Sequence, residues 1–204
     1  MEKNTSHNPV RRSPATQTLI FGAALTALVI ILQMLGSFIR FGTFAISLVL
    51  IPIVIGAAVG GTKLSTWLGF IFGVVVLCTD AAAFFAVSIF GTVLTVLMKG
   101  IAAGLAAGFI YRLFEKKNQY LAVVLAAIAC PIANTGVFVL GSFIFFYKTL
   151  EEWGIGLGYS NAIAYLFLGM IGLNFIFELL SNILLSPVVV RRLNVFKKQS
   201  PQRK

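Results

Sequence analysis

Acidic residues are scarce in this chain: six Asp and Glu stand against sixteen Lys and Arg over 204 residues, and histidine occurs once. That histidine, His7, lies in a polar N-terminal stretch. No serine or cysteine therefore has a histidine base at hand, and no His-containing metal site is expected. Asp80, Glu115, Glu151, Glu152 and Glu178 are dispersed along the chain, which leaves no acid–base pair for hydrolysis. The reading is of a protein that is not an enzyme and needs no cofactor. The two cysteines, Cys78 and Cys130, sit inside apolar runs and read as packed thiols, with no disulfide framework. A nucleotide loop is missing as well. Residues 56–63 read Gly-Ala-Ala-Val-Gly-Gly-Thr-Lys, with Lys63 after the threonine instead of before it, and Gly154, Gly156 and Gly158 follow no strand. Both stretches read as turns, so the chain shows no energy source of its own.

What is abundant is apolar sequence. Hydrophobic residues make up 59% of the chain, gathered into long uncharged runs of the kind a bilayer covers. Six spans are expected, at 15–38, 43–60, 64–79, 90–112, 120–146 and 161–189, with the second and third marginal in length. The net charge of +10 would suit a nucleic-acid binder, but its distribution does not. Thirteen of the sixteen basic residues fall in the two tails and in the turns after spans two and four. Arg40 and Lys148 fall on the other side, and Lys99 lies inside a span. The bias puts both termini in the cytoplasm. The expected fold is all-α: a polytopic bundle of six transmembrane helices (15–190) between a cytoplasmic tail (1–14) and a basic cytoplasmic tail (191–204).

Polar side chains inside spans are costly in lipid and mark candidate sites. Span six carries Asn174, Glu178 and Asn182 at four-residue steps, on one helix face. Span five has Asn134 and Thr135 just beyond Pro131, whose ring frees a carbonyl one turn earlier, able to face a cavity. Span four offers Thr92 and Lys99. Together these describe a small polar pocket, with Lys99 either contacting a ligand or snorkelling outward. Counting along the spans sets Lys99 and Glu178 about 12 Å apart in depth at ~1.5 Å per residue, too far for direct pairing unless the last helix starts late. Phe84, Phe85, Tyr147, Trp153 and Tyr159 on the outer side read as interfacial anchors, or in part as a lid. Small residues four apart, Ala23/Ala27 in span one and Gly100/Gly104/Gly108 in span four, permit close helix approach.

These residues carry a resemblance. The run Ser47–Leu77, with Ile51-Pro52-Ile53-Val54-Ile55-Gly56 and Trp67-Leu68-Gly69-Phe70, resembles the S components of energy-coupling-factor (ECF) vitamin transporters, as do Ala23-x-x-x-Ala27, Asn134-Thr135-Gly136 and Asn174-Phe175-x-x-Glu178. It is nearest the riboflavin-transporter-like branch. The resemblance implies a prokaryotic cytoplasmic-membrane protein that captures a B vitamin or related micronutrient from outside. A transmembrane T component and two cytoplasmic ATPases would power its release inward. It assigns Ala23 and Ala27 to docking on the T component, and Asn134 and the Asn174–Glu178 stretch to ligand contact; Thr135, Lys99 and Thr92 join the substrate pocket on their place inside the spans alone. Riboflavin binders of the family often carry a lysine where this chain has Glu178, which leaves pantothenate, other B vitamins and precursors open. The alternative is a self-contained secondary transporter or channel, which would normally show an internal repeat or paired broken helices.

Overall fold

Lipid satisfies no backbone polar group, so an apolar run must close its hydrogen bonds within itself, as a helix does. The computed structural model describes residues 14–38, 40–41, 44–45 and 48–199; the expected N-terminal tail up to residue 13 and residues 200–204 of the expected C-terminal tail lie outside them. Helix α1 (Pro14–Phe38) leads into a short antiparallel pair, β1 (Arg40–Phe41) and β2 (Phe44–Ala45), with Arg40 opposite Ala45. Then follow α2 (Leu50–Thr79), α3 (Ala82–Phe85), α4 (Ile89–Phe114), α5 (Gln119–Phe145), α6 (Tyr147–Gly156) and α7 (Ala162–Ala164). A π-helical segment (Tyr165–Ile171) joins α7 to α8 (Gly172–Gln199). Ser88, Asn118 and Asn161 start α4, α5 and α7 by accepting from free amide groups of the first turn, as at Gly91 (3.1 Å), Tyr120 (2.9 Å) and Ala164 (2.8 Å). Among the described residues, five helical stretches are long and apolar enough to cross a membrane. The protein is an all-α, multi-pass membrane protein.

The expected second and third spans meet inside α2. Gly61 there has φ 69°, a left-handed conformation that glycine alone adopts without strain. A methyl group placed on Gly56 would collide with Leu68, twelve residues on. On a straight helix those positions stand ~18 Å apart, so the chain folds back at Gly61. The arm after Gly61 runs parallel to α1: Gly22 lies against Leu64, Trp67 Nε1 donates to Thr26 Oγ1 (3.3 Å), and Ser37 Oγ donates to Asp80 Oδ2 (2.8 Å). The first arm must therefore return the chain between them. It starts at Leu50, not at 43 as expected, because the β1–β2 pair takes up the residues before it. Eleven residues cover only ~16 Å, and this arm, Leu50 to Ala57 throughout, is buried inside the bundle.

The glycine row of α4 packs internally. Gly100 faces the carbonyl of Gly69, Gly104 that of Ser65, and Gly108 meets Thr62, so α4 runs antiparallel to the second arm of α2 at backbone contact. Any side chain on Gly69, Gly100 or Gly104 would strike backbone atoms of the opposite helix. On its other side α4 lies antiparallel to α5, with Gly91 against Phe145 and Gly141 against Thr95. One hydrophobic core fills the half of the bundle around Leu50, Ile53, Val54, Ala103 and Ala126. A second, aromatic cluster around Phe146, Leu150, Tyr165 and Leu166 joins α5, α6 and the π-helical segment at the opposite end.

Candidate functional site

Between the two cores lies a cavity of about 470 Å³. Helix α5 lines it with Asn134, Thr135 and Phe138, and α8 with Asn174, Phe175 and Glu178. Lys99 enters from α4, and Phe72, Val76 and Asp80 from the second arm of α2. Gln33 of α1 completes the wall, while Phe84 of α3, Trp153 of α6 and Tyr165 of the π-helical segment stand on the side of the aromatic cluster. Phe84 meets Trp153 edge to face with ring centroids 5.7 Å apart, and Phe138 at 6.1 Å. Five of the six expected pocket residues thus share one cavity.

Thr92 is the exception. It is fully buried two turns from Lys99, outside the cavity lining, and its hydroxyl turns back to donate to the Ser88 carbonyl at 2.7 Å. The carbonyl freed by Pro131 also corrects the expectation. It belongs to Ala127 and is taken by Asn182 Nδ2 (3.2 Å), not turned to a cavity. Asn182 is wholly buried and accepts in turn from Ser186 Oγ (2.8 Å), so it works as interhelical glue below the pocket. Lys99 does not snorkel. Its ammonium lies 5.6 Å from the ring centre of Phe72 and 5.2 Å from that of Phe138.

Glu178 and Lys99 both line this cavity, and the π-helical segment Tyr165–Ile171 lies on the path from Asn161 to Glu178. Among the described residues no ion pair or hydrogen bond joins their side chains. Asn134 is 6% exposed, and its Oδ1 has no hydrogen-bond partner. A buried amide oxygen left bare costs on the order of 1–3 kcal/mol, a cost that a donor on a bound molecule would remove.

A family model for the substrate-specific component of ECF transporters matches residues 17–190. The chain belongs to this family. No curated protein and no solved structure matches it. The match reaches the family and does not single out the riboflavin-transporter-like branch. ECF substrate-specific components are transporter subunits of the cell membrane, not enzymes, which agrees with the five apolar helices.

In this ECF component the sequence reading passed over Gln33, Asp80 and Tyr165. Gln33 gave the same signal as Asn134, a lone amide in an apolar run. Asp80 stood only among the dispersed acids, whereas its Oδ2 accepts from Gln33 Nε2 (2.7 Å), Ser37 Oγ and Thr79 Oγ1 (3.1 Å), tying α1 to the end of α2 at the cavity wall. Of the outer aromatics, Phe84 and Trp153 line the cavity; Tyr147 instead stacks on Phe143, and Tyr159 lies against Tyr165. Ala23 and Ala27 are both exposed on α1, on a face shared with Ile20, Ile30 and Ile31.

Proposed function

We propose that this ECF substrate-specific component captures a B vitamin or related micronutrient from outside the cell in the cavity between α4, α5 and α8. A transmembrane T component and two cytoplasmic ATPases then drive its release inward. The observation that carries the reading is the cavity itself: an aromatic-walled space of about 470 Å³ into which three helices bring amide, ammonium and carboxylate groups that make no ion pair with one another among the described residues. Pockets of roughly 300–1,000 Å³ with few, convergent polar groups are the usual form of small-molecule sites. The reversal at Gly61 and the excess of basic residues on one side support six membrane crossings with both termini cytoplasmic. In that orientation the cavity opens outward, and the glycine-sealed α2–α4 contact closes its inner end.

The exposed small-residue face at Ala23 and Ala27 is the docking surface for the T component, since small side chains allow helix backbones to approach within lipid. The test of capture is equilibrium binding by the purified chain in detergent or nanodiscs. Saturable one-to-one binding of a vitamin at submicromolar concentration, abolished by filling the cavity with Asn134→Trp, is the expected result. A folded protein that binds none of the B vitamins would overturn the reading.

A further inference from the structure

The cavity brings together two charges that do not satisfy each other, and what they imply about the substrate rests on the capture reading above. Lys99 of α4 and Glu178 of α8 both line the space. Among the described residues no ion pair or hydrogen bond joins their side chains or ties either to a third group. The ammonium group lies against the ring faces of Phe72 and Phe138, which attract its charge but offer its N–H bonds no oxygen. The carboxylate can only accept, and it meets no donor. The charged atoms of both groups reach the cavity instead of being sealed in by protein. An unpaired charge away from bulk water is costly, and a counter-charge that also supplies hydrogen bonds removes the cost.

Helix register keeps the two apart. Asn182 of α8 bonds the Ala127 carbonyl of α5, while Phe138 and Phe175 both reach the aromatic cluster, so the two helices run antiparallel. Glu178, one turn from Asn182, therefore stands level with residues 131–134 of α5. Lys99 meets Phe138, one turn further along. The offset is ~6 Å, four residues at ~1.5 Å each. We propose that the substrate is dipolar: a small molecule with a carboxylate-type oxyanion for Lys99 and, about a helical turn away, a protonated nitrogen for Glu178. A molecule of one charge would match one of these groups and leave the other without a counter-charge, and a neutral one would leave both so. The amides of Gln33, Asn134 and Asn174 and the hydroxyls of Thr135 and Tyr165 belong to residue types that both donate and accept. They serve either end of the molecule, so polarity is set by the charged pair. Asp80 faces the same space, but its Oδ2 already accepts from Gln33, Ser37 and Thr79. The walls of Phe84 and Trp153 suit a ring between the two ends.

Three probes built on one ring make the test. 4-(Aminomethyl)benzoate carries both charges, 4-methylbenzylamine the cation alone and 4-methylbenzoate the anion alone. They would be titrated by calorimetry, beside the B vitamins, into the full-length protein in nanodiscs and into its Lys99→Met and Glu178→Gln variants. The expected result is that the dipolar probe binds the unaltered protein about tenfold or more tightly than either analogue. Lys99→Met should erase its advantage over the amine, and Glu178→Gln its advantage over the benzoate. A singly charged analogue that binds as tightly as the dipolar probe would overturn the substrate class. So would an advantage that survives both substitutions, or no detectable binding of the dipolar probe. In each of these cases a vitamin that still binds leaves the capture reading standing. Failure of every probe and every vitamin, on a protein with unchanged helical content, would count against capture itself.

Discussion

Asn134 and Asn182 are both buried asparagines on facing helices, and their surroundings assign them opposite roles. Asn182 spends its amide on the Ala127 carbonyl that Pro131 leaves without a helical donor. Asn182→Ala should therefore lower stability by ~1–3 kcal/mol with little change in ligand affinity, read from thermal or denaturant unfolding in detergent. Because Pro131→Ala restores an N–H at position 131, the double variant should regain much of that loss; no recovery would contradict the assignment. Asn134, Asn174 and Glu178 should behave the other way round. Asn134→Ala, Asn174→Ala and Glu178→Gln are each expected to raise the dissociation constant roughly five- to hundredfold while leaving unfolding nearly unchanged. Thr92→Val should leave affinity unaltered, since its hydroxyl serves only the Ser88 carbonyl. Five polar members of this site were legible in the sequence because an amide or charge in an apolar run is costly in lipid, a signal that Asn182 gives as well while serving as interhelical glue. Tyr165 and the ring faces were not, since an aromatic residue looks the same whether it faces lipid, core or cavity.

Among the elements, α2 and α4 pack at backbone contact. Their glycines bring backbones into contact, so a side chain has no flexible neighbour to push aside. Gly100→Val is expected to cost at least the ~1–3 kcal/mol typical of overpacking, and to reduce the folded yield measured by size-exclusion chromatography. Gly136→Ala, with open space around the position, should be neutral or slightly stabilising by removing a helical glycine. The helical character of these segments and the turn at Gly60–Gly61 followed from composition alone. The start of the second segment did not: Phe44 and Ala45 are apolar enough to continue a helix, and only their pairing with Phe41 and Arg40 shows that they are extended. A count at 1.5 Å per residue assumes a regular α-helix, and the π-helical turn between Tyr165 and Ile171 leaves no mark in the sequence.

At the scale of the whole molecule, α1 links two surfaces. It presents Ala23 and Ala27 outward and, two turns further along, places Gln33 in the cavity wall through its bond to Asp80. Ala27→Leu should weaken association with the T component and abolish uptake while leaving the affinity of the isolated chain within about twofold, because the bundle's own packing does not use that face. Equal loss of binding would place the alanines in the bundle core. The central claim is that this chain binds its substrate but relies on partners for energy. It is tested most directly in proteoliposomes. The chain alone should bind the substrate and accumulate none of it under an imposed proton or sodium gradient, whereas co-reconstitution with a T component and the two ATPases should give uptake that requires ATP. Gradient-driven accumulation by the chain alone would contradict the account.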